Sequence, residues 1–331
     1  MIHKKKVKGL GLCSGGLDSI LSALVLRKQG IEVLWIAFET PFFSADKARK
    51  ASSNNAIPII VKNITEQYLP MLKDPKCGYG KHLNPCMDCH ALMFRLAGEM
   101  MEETKSNFLF SGEVMGQRPM SQNKNSLRYV EKNSGYDGYI LRPLSAKVLP
   151  ETPMESNGLV DREKLCGFTG RSRKPQMELA GKFGVVDYPS PAGGCLLTDG
   201  GYTKRLKDLF DHQENIDASE MDLLSHGRHL RLDKDVKVVI GRNKKDNENM
   251  LRYYRPEKDI MLKTKNIPGP VTLISSGCGG DALVRAASIS AGYSKASTDT
   301  PVKVCVTYPG GQKEITVTPI PNTEVQDLLI P

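Results

Sequence analysis

Nowhere in its 331 residues does the chain carry a run of about 18 apolar side chains, so no membrane-spanning helix is expected. The amino end, Met-Ile-His-Lys-Lys-Lys, lacks an apolar core followed by a small-residue cleavage site; a cytoplasmic rather than secreted protein is expected. Internal repeats and low-complexity tracts are missing, which excludes solenoids and disordered spacers. No glycine loop ends in Gly-Lys-Ser/Thr, so the common Walker phosphate loop is absent, and the Gly-x-Gly-x-x-Gly dinucleotide fingerprint is missing as well. Acidic residues are in deficit, 37 against 46 basic ones, and the net charge of +9 favours an anionic partner, nucleic acid first. Cysteine is not scarce. Eight in a cytosolic chain point to metal or redox chemistry rather than a disulfide framework.

What is present begins with alternation. Apolar runs at 6–12, 32–38 and 57–62 are separated by helical patterns at 18–29 and 44–54, and a further helix at 89–103 precedes an apolar run at 107–111. This is the pattern of an α/β fold with a parallel sheet and crossover helices. Residues 112–200 are richer in Gly, Pro, Ser and Arg, as functional loops often are. Helical stretches at 203–212 and 219–225 then lead into a strand-strand-helix pattern. The domains expected are 1–200 (the parallel-sheet α/β domain), 201–230 (a helical linker) and 231–331 (a smaller α/β domain).

Between the first strand and the first helix stands Cys-Ser-Gly-Gly-Leu-Asp-Ser, residues 13–19. Backbone amides of a glycine turn and of a helix amino end form an anion site, and glycine permits close approach. Ser14 and Ser19 add hydroxyls; Asp18 would repel a phosphate directly and is expected to hold Mg²⁺. The stretch resembles the PP-loop, Ser-Gly-Gly-x-Asp-Ser, of the ATP pyrophosphatase superfamily, whose members adenylate a carbonyl-type oxygen and release pyrophosphate. The resemblance implies a parallel-sheet adenine nucleotide alpha-hydrolase-like domain with ATP at Ser14, Gly15, Gly16, Asp18 and Ser19.

Asn-Pro-Cys-Met-Asp-Cys-His at 84–90 and Ser-Pro-Ala-Gly-Gly-Cys at 190–195 extend the resemblance to the tRNA thiolation branch, the 2-thiouridylases and 4-thiouridine synthetases, over about residues 6–200. There, Cys89 and Cys195 stand where catalytic cysteines stand. Gly-Glu-Val-Met-Gly-Gln at 112–117 is similar to a segment lining the nucleotide, which brings in Gly112 and Gln117. Cys86 is an addition to the two-cysteine pattern. Cys86, Cys89 and Cys195 together resemble the three thiolates of iron–sulfur-dependent thiolation enzymes, which leave one iron of a [4Fe–4S] cluster open. A persulfide relay on Cys89 and Cys195, or a structural zinc on Cys86 and Cys89 with His90 or Cys77, stays open beside the cluster.

Several basic residues complete the reading. Arg142 and Lys147 flank prolines, and Arg171, Arg173 and Lys174 precede Cys195; all are candidates for phosphate contact. Residues 231–308 resemble the RNA-binding domain of NFACT proteins, through Gly-Arg-Asn and the residues after it. Arg242, Asn243, Lys244 and Lys245 would meet RNA there. Together these resemblances imply an ATP-dependent tRNA sulfurtransferase with Asp18, Cys89 and Cys195 catalytic. It would use ATP, Mg²⁺ and a [4Fe–4S] cluster, with tRNA and a sulfur donor (sulfide, a carrier or a cysteine desulfurase) as partners and no membrane. Two other readings stay open: a PP-loop enzyme adenylating a small molecule, and a non-enzymatic RNA-binding factor. The oligomeric state is open, a dimer included.

Overall fold

The alternating apolar runs of the first half become five strands of one sheet. They are β1 (Lys8–Leu12), β2 (Glu32–Glu39), β3 (Ile59–Asn63), β4 (Phe108–Phe110) and β5 (Ile140–Leu141), all parallel, in the order β3-β2-β1-β4-β5. The computed structural model describes residues 6–190 and 194–331. Helices α1 (Leu17–Arg27), α2 (Asp46–Asn55), α3 (Thr65–Lys73), α4 (Cys86–Glu99), α5 (Lys124–Ser134), α6 (Pro153–Ser156) and α7 (Lys174–Phe183) connect and cover these strands. Parallel strands buried on both faces read as continuous apolar runs. Accordingly Leu10, Trp35, Ile36, Phe108 and Phe110 are fully buried. Gly11 gives Phe110 its room, because a Cβ there would overlap the ring.

The strand order fixes where a ligand belongs. From β1 the chain moves outward to β2 and β3, then crosses to the far side of β1 as β4 and β5. Such a reversal opens a crevice at the carboxyl ends of the two central strands, here β1 and β4. The residues after these ends are 13–16 and 111–117.

Residues 112–190 contain more regular structure than the composition suggested. Helix α5 is capped by Asn123, whose side chain accepts from the Ser126 amide, and it ends at Gly135 with φ +78°. Helix α7 starts at Lys174-Pro175 and ends at Gly184 with φ +68°, the expected proline and glycine asymmetry.

The chain divides into two compact units, Met1–Thr198 and Asp199–Pro331. Residues 201–230, read as a linker, fall within the second, which opens with α8 (Gly200–His212) and α9 (Ala218–Leu223). It continues with β6 (Arg228–Arg231), β7 (Lys237–Ile240), α10 (Lys244–Met250), β8 (Ile260–Thr264), β9 (Thr272–Ile274), α11 (Gly280–Gly292), β10 (Val302–Tyr308), β11 (Gly311–Val317) and β12 (Leu329–Ile330). Its seven strands pair antiparallel in the order β11-β10-β8-β9-β7-β6-β12. Leu283, Ala286, Ala287 and Ile289 of α11 share one core with Leu230, Val238, Ile240, Leu262 and Val304 of the sheet. Among the described residues no helix is long and apolar enough to cross a membrane.

Candidate active site and RNA-binding surface

The turn after β1 is built for close approach. Gly15 has φ +72°, and a Cβ there would overlap the backbone of Lys47. Gly16 is the residue before α1 and caps it without a side chain, so the first-turn amides of α1 have no side-chain cap. The Ser14 hydroxyl lies 3.4 Å from the Gly16 amide. Ser19 behaves differently from expectation. It is buried, and its hydroxyl donates to the Gly16 carbonyl at 2.8 Å, so it braces the turn from within instead of facing a phosphate.

Asp18 sits in the first turn of α1. Its Oδ2 accepts from Gln117 Nε2 at 2.9 Å, while Oδ1 is buried and without a partner among the described residues. A buried carboxylate oxygen with no donor is unfavourable unless a cation or donor arrives, so Asp18 fits a Mg²⁺ ligand. Gly112, just past β4, lies so close to the Asp18 backbone that a Cβ would overlap it. Gly112 and Gln117 therefore both lie against Asp18.

The same segment carries a residue that sequence reasoning passed over. Glu113 is 6% exposed and accepts from Ser111 Oγ at 3.0 Å, Arg142 Nε at 2.9 Å and His90 Nδ1 at 2.8 Å. Burial pushes its pKa up, but the Arg142 guanidinium and then His90 outweigh this and hold the carboxyl far below the usual range. Arg142 also pairs with Glu131 and is itself buried. It is a structural ion pair and is not available to a phosphate. Lys147 pairs with Glu163 at 3.1 Å.

His90 follows Cys89 on α4. Cys86 opens that helix, and Asn84 Nδ2 lies 3.4 Å from its sulfur. Cys89 lies one turn on, near enough to the hydroxyl of Tyr68, a buried residue of α3, for each to shift the other's titration. Cys195 is set in place by its neighbour, since the Leu196 amide donates to the Phe42 carbonyl at 2.9 Å. Residues 191–193 of the Gly-rich segment before it lie outside the described residues. Electrostatically the three cysteines form one group. Burial pushes the Cys89 thiol up; the Tyr68 hydroxyl opposes this, and Cys195 and Cys86 push it further. Burial pushes Cys195 to about 11, the Leu197 amide opposing and Cys86 adding. Tyr68 is raised by burial and then by Cys89 and Cys195.

Among the described residues no three His, Cys, Asp or Glu side chains converge tightly enough to hold one metal ion. A tetrahedral zinc would bring thiolate sulfurs to about 3.8 Å of one another. The zinc reading is thus disfavoured by spacing; the bond from Nδ1 of His90 to Glu113 leaves Nε2 free and does not bear on it. A four-iron cluster takes one thiolate per iron and spaces them more widely. Three soft thiols within mutual influence fit that donor set, and they equally fit a two-cysteine relay. Cys77 packs beside the same helix: its amide donates to Asp88, between Cys86 and Cys89, at 2.8 Å, and Asp88 also accepts from Tyr129.

The loop before α7 docks on the 112–117 segment. Gly170 N and Thr169 Oγ1 both donate to the Met115 carbonyl, at 2.8 and 3.1 Å. Arg171 and Lys174 are exposed, whereas Nε of Arg173 is buried without a partner. In the second unit Arg242, Asn243, Lys244 and Lys245 form one exposed run at the start of α10. Two of them also have local duties. Arg242 pairs with Asp246, and Asn243 Oδ1 caps α10 by accepting from the Asp246 amide at 2.9 Å. His226 stacks on Tyr253 with ring centroids 5.8 Å apart, and Arg242 and Arg252 are near enough to depress its pKa, after burial.

Comparison with known proteins separates the same two parts. Residues 5–147 match the family described as thiamine biosynthesis protein (ThiI), and residues 227–329 match the NFACT protein RNA-binding domain. Two strains of Ureaplasma parvum serovar 3 have proteins named probable tRNA sulfurtransferase that are 31% identical over 146 residues, 42% of this chain and 37% of theirs. The tRNA-specific 2-thiouridylase MnmA of Karelsulcia muelleri is 30% identical over 133 residues, 37% of this chain and 34% of its own. The chain thus spans little more than a third of the length of these relatives. A solved structure titled as a predicted subunit of tRNA methyltransferase from Methanocaldococcus jannaschii is 19% identical over 41% of this chain and 67% of its own, with a TM-score of 0.31. Residues 5–147 form a PP-loop domain of the ThiI family, joined in one chain to an NFACT-type RNA-binding domain.

Proposed function

We propose that the chain is an ATP-dependent tRNA sulfurtransferase of the cytoplasm. The observation that carries this reading is the meeting of two devices at the carboxyl ends of β1 and β4. One is the glycine turn with the open Asp18 oxygen; the other is the cysteine helix, tied to the same segment by His90 and Glu113. ATP would place its phosphates at the turn of Ser14, Gly15 and Gly16, with Mg²⁺ on Asp18 Oδ1. A uridine carbonyl oxygen then bonds the α-phosphorus as the bond to the β-phosphate oxygen breaks and pyrophosphate leaves. A sulfur nucleophile adds to the activated carbon, the carbon–oxygen bond breaks, and AMP departs to leave the thiocarbonyl.

Cys86, Cys89 and Cys195 would hold a [4Fe–4S] cluster, whose open iron supplies a site for sulfide. The mutual influence of Cys89 and Cys195 supports a second reading, a persulfide on one cysteine and resolution by the other. In the second unit the run Arg242–Lys245 would contact tRNA phosphates, and in the first Arg171, Arg173 and Lys174 would contact phosphates of the tRNA or of ATP.

The test is iron and acid-labile sulfide content of anaerobically purified protein beside a Cys89→Ala variant, followed by nucleoside analysis of tRNA incubated with ATP and sulfide. About four iron and four sulfide per chain, lost in the variant, is the expected result. Thiouridine formed without iron would move the sulfur to the persulfide pair. No thiouridine, with or without iron, would overturn the assignment.

A further inference from the structure

Helix α7 contributes a residue to the Asp18 site that no motif announces. Gln176 is fully buried, and its Nε2 donates to Gln117 Oε1 at 3.1 Å. Gln117 Nε2 in turn donates to Asp18 Oδ2 at 2.9 Å. The direction of this chain follows from the chemistry of its end. An ionised carboxylate only accepts, so Gln117 must turn its amino group toward Asp18 and its oxygen away. That oxygen needs a donor, and Gln176 is the one present. A Gln117 amide turned the other way would set two oxygens against each other at Asp18.

Packing alone does not account for Gln176. Its own Oε1 is buried and without a partner among the described residues, a penalty that an apolar side chain of the same shape would avoid. The orphan oxygen persists where the other end of the same amide fixes Gln117. Asp18 Oδ1, the second orphan of the group, is the atom left free by this arrangement.

We propose that Gln176 is a positioning residue for the metal–nucleotide site: it fixes the Gln117 amide, so that Asp18 is held through Oδ2 and offers Oδ1 to Mg²⁺. This rests on the reading of Asp18 as the Mg²⁺ ligand. The role parallels outer partners of metal ligands in general, which orient the ligand without touching the ion.

The experiment uses the full chain and binding of the non-cleavable analogue α,β-methylene-ATP, measured calorimetrically with and without Mg²⁺. Gln176→Met keeps the shape and removes the donor. Gln176→Glu sets a carboxylate against Gln117 Oε1. Both are expected to weaken the apparent Mg²⁺ affinity about tenfold or more while metal-free binding of the analogue stays unchanged. Unaltered Mg²⁺ dependence in a folded Gln176→Met protein would overturn the inference alone. Failure of this shape-conserving variant to fold would assign Gln176 to packing and also overturn it. If Mg²⁺ does not strengthen analogue binding to the unaltered protein, the proposed role of Asp18 falls, and this inference falls with it.

Discussion

Nδ1 of His90 donates to Oε1 of Glu113 at 2.8 Å, and this one bond joins the helix that carries Cys86 and Cys89 to the segment that packs on Asp18. Glu113 is also the buried counter-charge of Arg142 at 2.9 Å. Glu113→Gln leaves Arg142 with Glu131 alone, and breaking a buried pair in this way costs about 3–5 kcal/mol. Urea unfolding at neutral pH measures it. A loss below about 1 kcal/mol would mean that Glu131 suffices as the partner of Arg142.

The same carboxyl makes stability fall with acid. Its folded-state pKa lies well below the ordinary 4.5, so the ionised form stabilises the fold fully above that value. The contribution is lost as the pH drops below about 4.5 toward the folded-state value. Melting temperature should therefore fall more steeply between about pH 5 and pH 3 in the unaltered protein than in Glu113→Gln. Parallel curves for the two proteins would contradict the assignment.

The first 63 residues were legible because each strand is an apolar run and each connection a helix pattern, and the parallel sheet follows from that alternation. Past residue 111 the signal fails for local reasons. Strand β5 is two residues long, and α7 starts on a basic, proline-containing stretch that reads as a loop. The turn at 13–16 was legible because backbone chemistry restricts it to glycine. Tyr68, Glu113 and Gln176 were not, because their roles rest on partners far along the chain. Tyr68 is one aromatic in a segment interrupted by Pro70, and Gln176 one polar residue after a basic stretch, so neither stands out locally. Arg142 misled for the converse reason: a surface-type residue beside proline is buried between two glutamates.

Cys195 offers a pH test. Burial first, then Cys86, raises its thiol from 9.0 to about 11 in the metal-free protein. Alkylation by iodoacetamide, followed by peptide mass spectrometry, should become fast only as the pH approaches about 11, and near 9.0 in the unfolded chain. Equal rates in folded and unfolded protein at neutral pH would refute this. Reconstitution with iron and sulfide should protect Cys86, Cys89 and Cys195 together if all three bind the cluster.

Asp18→Asn separates stability from function. The substitution replaces a half-buried carboxylate, one of whose oxygens is buried, with a neutral group, whose burial is less unfavourable. The metal-free variant should melt at or above the temperature of the unaltered protein. ATP-dependent pyrophosphate release in the presence of tRNA should drop by about two orders of magnitude or more, since Mg²⁺ loses its charged ligand. A variant that melts lower would show Asp18 to be a structural residue.

The exposed run at α10 calls for variants chosen by what each side chain already does. Asn243→Ala removes a helix cap worth about 1 kcal/mol, so weaker RNA binding there would mix folding with contact. Arg242→Ala frees Asp246 and adds a repulsive charge to the same surface. Among the described residues Lys244 and Lys245 have no such duty beyond the long Lys244–Glu248 approach of 3.9 Å. Lys244→Ala and Lys245→Ala should leave the melting temperature unchanged and each lower the slope of log affinity against log salt by about 1, alike for every tRNA species tested. Titrating labelled tRNA at several salt concentrations reads this directly. A loss confined to one tRNA species would mean that these lysines read sequence or shape; an unchanged slope would move the phosphate-binding surface away from α10.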